Sequence, residues 1–218
     1  MPFTTKKILI TAGPTYEAID PVRFIGNRST GKMGIAIAER FAESGADVTL
    51  VLGPTHLRPK NPTIKLVSVE TGAEMYDACL KEYNNSYIVI MSAAVADYKP
   101  LEVAEQKIKK SDATLTLQLV KTTDILFELG KLKTKQFLVG FALETENLIE
   151  NATKKLQKKN LDLIVANNTN SSGEGFGFDT NKVIMIDRNN NLYNFELKQK
   201  EEVASDILSV IEKCLEKK

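Results

Sequence analysis

Four short, mostly apolar runs constrain this chain more than any other feature. They are residues 7–12 (KILITA), 47–52 (DVTLVL), 87–93 (YIVIMSA) and 161–166 (LDLIVA). Runs this apolar and this short read as strands covered on both faces, which is the condition of a parallel sheet. Between the first two, residues 31–44 carry Met33, Ile37, Ala38 and Phe41 at helical spacing and stop at Gly45. Residues 64–69 form a further strand. Thr71 and Glu74 then make a capping box: the threonine oxygen accepts the glutamate amide, and the glutamate reaches back. The helix it opens runs to about Tyr83. Strands alternating with helices predict an α/β fold, Rossmann-like and doubly wound, with a mostly parallel sheet and helices on both faces.

The second half adds a different pattern. Residues 107–110 and 113–120 (ATLTLQLV) alternate with period two and predict exposed or antiparallel strands, an antiparallel flap. A short helix over 124–131, a short strand over 137–140 and a helix over 146–159 with a basic C-terminal half follow. Residues 183–186 and 192–195 flank Asn189-Asn190-Asn191 and read as a hairpin. Residues 200–215 close the chain as an amphipathic helix. With no repeat, low-complexity tract or linker, residues 1–218 are expected to form a single domain.

Rare residues exclude several chemistries. The only histidine is His56, there is no tryptophan, and the cysteines are Cys79 and Cys214. One histidine cannot build a multi-histidine metal site, and a histidine-based triad would have to run through His56. His56 lies in GPTHLRP, which reads as a surface turn. Twenty-nine basic against 28 acidic side chains leave a charge of +1, so a general nucleic-acid coat is not expected. No apolar run approaches the roughly 20 residues that span a bilayer, and no signal-peptide pattern precedes the first strand. A cytoplasmic protein with reduced thiols and no membrane partner is expected.

In open α/β sheets, ligands collect at the C-terminal strand ends. Three long connections leave such ends: residues 13–34, 93–110 and 166–181. The first contains Gly26-Asn-Arg-Ser-Thr-Gly31-Lys32-Met33-Gly34, which resembles a phosphate loop in letters only. Met33 stands where a metal-binding hydroxyl would be, and the segment starts 14 residues after its strand. Small residues and free amides before a helix still suit an anion. A loose turn is the plain alternative. In Ser92-Ala-Ala-Val-Ala-Asp97-Tyr98, small residues admit a ligand and Asp97 could grip a ribose or base edge, or merely cap a turn. On a strand, Lys107 and Lys109 would share one face. Lys155 and Lys159 share a helix face at i, i+4. A nucleoside triphosphate would explain both basic sets, as would solvated faces. Residues 173–179 (GEGFGFD) read equally as a closing loop or a plain one.

Five motifs together resemble a known family. They are ITAGPTYEAIDPVRFIGNRSTGKMG (residues 10–34), SAAVADYKP (92–100), KIKK (107–110), VGFALET (139–145) and KNLDLIVANN (159–168). In this order and spacing the chain is similar, from about Ile8 to Val183, to the phosphopantothenate–cysteine ligases of coenzyme A biosynthesis. The resemblance implies amide formation between 4′-phosphopantothenate and L-cysteine. It implies CTP as co-substrate, an acyl-cytidylate intermediate, and release of CMP and pyrophosphate, with Mg²⁺ and without flavin. Because the first strand begins at Lys7, a free-standing ligase is expected. The resemblance also implies a homodimer, with residues 113–120 as a candidate surface.

Carried over by position, the resemblance implies that Asn27 handles the acyl-nucleotide, donating through its amide. Arg28, Ser29 and Thr30 would accompany it on the substrate. Ala93 and Ala94 would back the nucleotide, and Asp97 would contact its base or ribose. Lys107 would neutralise phosphate during activation. Asp124, Ile125, Leu126 and Phe141 would contact the nucleotide, and Lys155 and Lys159 its phosphate side. Metal ligands are not indicated. Thr122-Thr123 replace the Asn-Pro that commonly precedes the aspartate at position 124. The rival readings are a nicotinamide oxidoreductase, which lacks GxGxxG here, and a non-catalytic nucleotide-binding sensor, which would not need Asn27.

Overall fold

The computed structural model describes residues 3–109, 114–168 and 177–216. The chain runs through β1 (Lys7–Ala12), the hairpin of β2 (Tyr16–Ala18) and β3 (Phe24–Gly26), then α1 (Lys32–Glu43). Next come β4 (Asp47–Leu52), β5 (Lys65–Ser68), α2 (Gly72–Tyr83) and β6 (Ile88–Met91). A two-stranded arm of β7 (Tyr98–Pro100) and β8 (Leu119–Lys121) precedes α3 (Ile125–Leu132), β9 (Phe137–Glu144), α4 (Leu148–Lys158) and β10 (Leu163–Asn168). The remainder is β11 (Thr180–Asn181), β12 (Ile184–Asp187), β13 (Leu192–Asn194), β14 (Lys198–Gln199) and α5 (Lys200–Glu216).

Eight strands form one sheet in the order β13-β12-β10-β9-β6-β1-β4-β5. From β10 to β5 every pairing is parallel. The hairpin β12–β13 adds an antiparallel edge. The chain builds outward from β1 to β4 and β5, then returns to place β6 on the other side of β1. That reversal is a topological switch point, where open α/β sheets bind ligands.

Both faces of the sheet are covered. Ile8 and Ile10 pack with Ile37 and Phe41 of α1 and Ile207 and Ile211 of α5. Leu9, between them, faces Met75 and Cys79 of α2 on the opposite side, among Leu129 and Leu156. Period-two alternation thus puts apolar residues on both faces, so Ile8, Leu9 and Ile10 are consecutive and all buried. Burying each such side chain contributes about 1.5–3 kcal/mol. The Thr71–Glu74 capping box forms as its spacing predicts.

Four expectations change. Residues 13–30 hold the β2–β3 hairpin, locked by Tyr16 stacked on Phe24 with ring centroids 3.7 Å apart. Residues 107–109 and 114–118 lie outside any strand. Lys107 and Lys109 therefore do not share a strand face, and Lys110 and Ala113 fall outside the described residues. A period-two pattern becomes a strand only beside a free edge. Tyr98–Pro100 offers one to Leu119–Lys121 alone, continued by Leu101 N–H to the Gln118 carbonyl at 2.9 Å. The strand foreseen over 137–140 extends to Glu144, because β10 lengthens its ladder. Much of the Gly-rich segment before Gly177 also lies outside the described residues. His56 is exposed. Among the described residues, no helix is long and apolar enough to cross a membrane.

Candidate active site

A cavity of about 720 Å³ opens at the C-terminal ends of β1, β6, β9 and β10. Two glycines let the chain close in on it. Gly31 has φ 80°, and a Cβ there would sit 3.3 Å from the Gly13 backbone. A Cβ on Gly34 would lie 2.5 Å from the Ala12 Cβ and 2.9 Å from the Ser92 Oγ. Only glycine lets α1 begin this near the ends of β1 and β6. Gly31 gives α1 no side-chain cap, so its first-turn amides remain available to an anion.

The segment after β6 is laced to the segment after β1. The Ala94 N–H donates to the Gly13 carbonyl at 2.9 Å, and the Thr15 N–H to the Ala94 carbonyl at 3.3 Å. The Thr11 hydroxyl accepts from the Ala93 N–H at 3.2 Å, and the Thr15 hydroxyl from the Ala96 N–H at 3.0 Å. The Asn27 amide donates to the carbonyls of Ala94 and Val95, both at 3.0 Å. Its two hydrogens are thereby in use, which departs from the expected donation to a ligand. On the far side, the Thr122 hydroxyl donates to the Ala96 carbonyl at 2.6 Å, and its N–H to the Asp97 carbonyl at 3.0 Å. The replacement of Asn-Pro here thus ties the turn to the Asp97 backbone.

The lining is cationic. Lys32, Lys121, Lys159 and Lys200 face the cavity against two carboxylates, Asp97 and Asp124. Asp124 caps α3 through the Phe127 N–H at 3.1 Å and pairs with Lys159 at 2.9 Å. Asn27, Ser29, Thr30, Ala93, Ala94, Ile125, Leu126 and Phe141 also line it. Three expected residues do not. Arg28 and Lys107 are exposed outside the lining, and Lys155 pairs with Glu144 at 2.5 Å instead. Lys155 and Lys159 share a helix face as predicted, but different strand and helix ends lie opposite them.

The basic segment around Lys107 is anchored from a distance. Asp20 accepts from the Val22 N–H at 2.9 Å, the Arg23 N–H at 2.8 Å and the Ile108 N–H at 3.1 Å. Arg23 pairs with the same carboxylate and donates to the Ile108 carbonyl at 3.0 Å. The Arg23 guanidinium, above all, holds the Asp20 carboxyl far below the usual carboxylate range. Sequence reading assigned no role to Asp20 and Arg23, nor to Lys32, Lys121, Lys200, Asn167 and Asn181 in the cavity wall. The available signal was an Asp three residues before an Arg with a proline between them, Asp20-Pro21-Val22-Arg23.

Among the described residues, no three His, Cys, Asp or Glu side chains gather to hold a metal ion. The donor set therefore does not fit a resident Mg²⁺ cage. An ion that enters with a triphosphate keeps most of its ligands from phosphate and water.

A family model described as the DNA/pantothenate metabolism flavoprotein C-terminal domain matches residues 3–215. The chain is 50% identical over 211 residues to a cysteine/cysteine sulfinic acid decarboxylase of an unknown prokaryotic organism, covering 96% of this chain and 59% of that protein. It is 47% identical over 210 residues to the coenzyme A biosynthesis bifunctional protein CoaBC of Bacillus subtilis, covering 96% and 52%. The chain thus spans little more than half the length of these relatives. The crystal structure of the C-terminal domain of a CoaBC protein superposes with a TM-score of 0.85 at 45% identity, covering 99% of this chain and 98% of that one.

Proposed function

For a chain that belongs to the DNA/pantothenate metabolism flavoprotein C-terminal domain family, we propose the activity of a phosphopantothenate–cysteine ligase. It joins 4′-phosphopantothenate to L-cysteine with CTP, through an acyl-cytidylate, releasing CMP and pyrophosphate. One observation carries the reading: a roomy cavity at the switch point, with four lysines against two aspartates in its wall. Two polyanions that must meet need such a wall. Its volume lies within the range of small-molecule sites.

The residues divide the work as follows. The substrate carboxylate attacks the α-phosphorus, and the bond to pyrophosphate breaks. The cysteine amine then attacks the acyl carbon, and CMP leaves. Ala93 and Ala94 present small side chains at the cavity wall, where a nucleotide can lie against the backbone. Asp97 and the α3 turn from Asp124 to Leu126 hold its base and ribose, and Phe141 packs beside it. Lys159 serves the phosphates and is oriented by Asp124. Lys107 reaches the phosphates from outside, on a segment anchored at Ile108. Asn27 acts chiefly as a positioning residue, fixing the Ala94–Val95 carbonyls. Mg²⁺ enters with the triphosphate as part of the substrate. The ligase works as one domain in the cytoplasm, without flavin.

We further propose a homodimer. Val22, Phe24, Tyr98, Leu101, Leu117 and Leu119 are exposed on the β2–β3 and β7–β8 hairpins. Isolated exposed apolar residues are ordinary, but a cluster on two adjoining hairpins marks an interface.

Pyrophosphate release tests the function. Purified protein with Mg²⁺, 4′-phosphopantothenate and L-cysteine is expected to release it with CTP in preference to ATP, and only when phosphopantothenate is present. Folded protein that releases none with either nucleotide would refute the ligase.

A further inference from the structure

Asp97 is exposed in the cavity wall, yet the backbone on both sides of it is held. The Ala96 carbonyl, in the peptide before Asp97, accepts the Thr122 hydroxyl at 2.6 Å. The Asp97 carbonyl, in the peptide after it, accepts the Thr122 N–H at 3.0 Å. That second bond extends the β7–β8 ladder by one residue, since Tyr98 already pairs with Lys121. One peptide further back, the Ala96 N–H donates to the Thr15 hydroxyl at 3.0 Å. Thr15 is fully buried and Ala96 is 4% exposed, so water is a poor substitute for that hydroxyl.

Three consecutive peptide units, from Val95–Ala96 to Asp97–Tyr98, are thus pinned by two threonines from distant segments. Thr15 follows β1 and is 81 residues from Ala96; Thr122 follows β8 and is 26 residues from it. Holding the peptide planes on both sides of a residue fixes its φ and ψ, and with them the direction of its Cα–Cβ bond. The Asp97 side chain therefore leaves the loop in a set direction. Thr122 also stands just before Asp124, the cap of α3. It sets the gap between the two wall segments that carry Asp97 and Asp124.

We propose that Thr15 and Thr122 are positioning residues for nucleotide binding, acting through the direction they give Asp97. The inference deepens the ligase reading and rests on it for the identity of the ligand. A carboxylate already held in its binding direction loses less freedom when a ribose or base edge meets it. Thr122 carries the larger share, because it holds both peptides that flank Asp97, whereas Thr15 holds the one before them. The benefit belongs to base and ribose, since a carboxylate repels phosphate.

Equilibrium binding to the full chain tests this, with CTP, CMP and inorganic pyrophosphate each added alone. Thr122→Val removes the hydroxyl bond and keeps a β-branched side chain. It is expected to weaken CTP and CMP alike by about five- to twentyfold, and to leave pyrophosphate within about twofold. Thr122→Ser restores the hydroxyl and should bind both nucleotides within about twofold of wild type. In an Asp97→Ala background, Thr122→Val should cost less than about a further twofold. A merely structural threonine would cost the same with or without that carboxylate. In turnover, Thr122→Val should raise KM for CTP by the same factor as it weakens binding and leave kcat within about twofold. Thr15→Val should follow the same pattern, with Thr15→Ser as its rescue. Thermal unfolding checks that each variant is folded, and Thr122, at a half-buried position, keeps the test valid if Thr15→Val is not. Wild-type nucleotide affinity in Thr122→Val, a matching loss for pyrophosphate, or a full loss that persists without Asp97 would overturn the proposal even in an active ligase. Coupled losses of nucleotide binding in a protein that releases no pyrophosphate would uphold the positioning and refute the ligase. A wild type that binds neither CTP nor CMP would overturn both.

Discussion

The Asn27 Nδ2 lies 3.0 Å from both the Ala94 and the Val95 carbonyl oxygens, joining the segment between β3 and α1 to the loop after β6 across 67 and 68 residues of sequence. A carboxamide in that position spends its donors on the scaffold. Asn27→Asp replaces both donors with a carboxylate facing two carbonyls. Each lost hydrogen bond costs about 0.5–1.5 kcal/mol, and repulsion displaces the loop. Product formation is expected to fall by about a hundredfold or more, while CTP binding stays within about threefold. Unchanged turnover would remove Asn27 from the site.

Gly34→Ala tests the close approach of α1. The new methyl would meet the Ala12 Cβ at 2.5 Å. Overpacking of this kind costs about 1–3 kcal/mol. A lower urea midpoint with an unchanged slope is the expected result. A midpoint equal to wild type would mean that the helix start shifts freely.

Asp20 makes a pH prediction. Its carboxyl is depressed, first by the Arg23 hydrogen bond and then by the Val22, Ile108 and Arg23 amides, against the opposing effect of burial. A depressed carboxylate stabilises the fold above its unfolded pKa, about 3.9. That contribution disappears as pH falls below this value toward the folded pKa. The thermal midpoint of wild type is therefore expected to drop between about pH 4 and pH 2 more steeply than that of Asp20→Asn. Parallel curves would contradict the anchor.

Below the sheet, Lys133 and Asp162 form a buried ion pair, with side chains 6% and 2% exposed. Asp162 also accepts the Leu138 N–H at 2.9 Å. Asp162→Ala removes the carboxylate from a buried ammonium that keeps the neutral Asn160 carbonyl at 2.9 Å and should cost about 3–5 kcal/mol. A chemical denaturation curve measures it, and a loss below about 1 kcal/mol would show that the ammonium finds water.

For the homodimer, Leu119→Lys introduces a charge at an exposed apolar strand position on β8. Sedimentation should show dimer for wild type and monomer for the variant. A monomeric wild type would end the proposal.

Much of the architecture was legible locally. KILITA and DVTLVL are strands because, after a charged first residue, every position is apolar or threonine, and the Thr71–Glu74 box opens α2 because its partners are three residues apart. The site was legible in part, as Ala93, Ala94 and Asp97 follow a central strand and Asn27 precedes a glycine-started helix. Lys107 was misplaced onto a strand because an alternating pattern does not reveal whether an edge is free. Lys200 passed unnoticed because it reads as the first residue of an ordinary amphipathic helix.

By itself, the sequence determined the strands, the helices, their caps and the doubly wound class. These follow from side-chain periodicity and from hydrogen bonds between near neighbours. Only the tertiary structure decided which charges meet. Lys155 and Lys159 are four residues apart on one helix face, yet one pairs with Glu144 at the end of β9 and the other with Asp124 at the start of α3. Sheet order places those ends, and it joins Asp20 to Ile108 across 88 residues and Lys32 to Asp179 across 147. A charge acts through distance in space, and distance along the chain does not supply it.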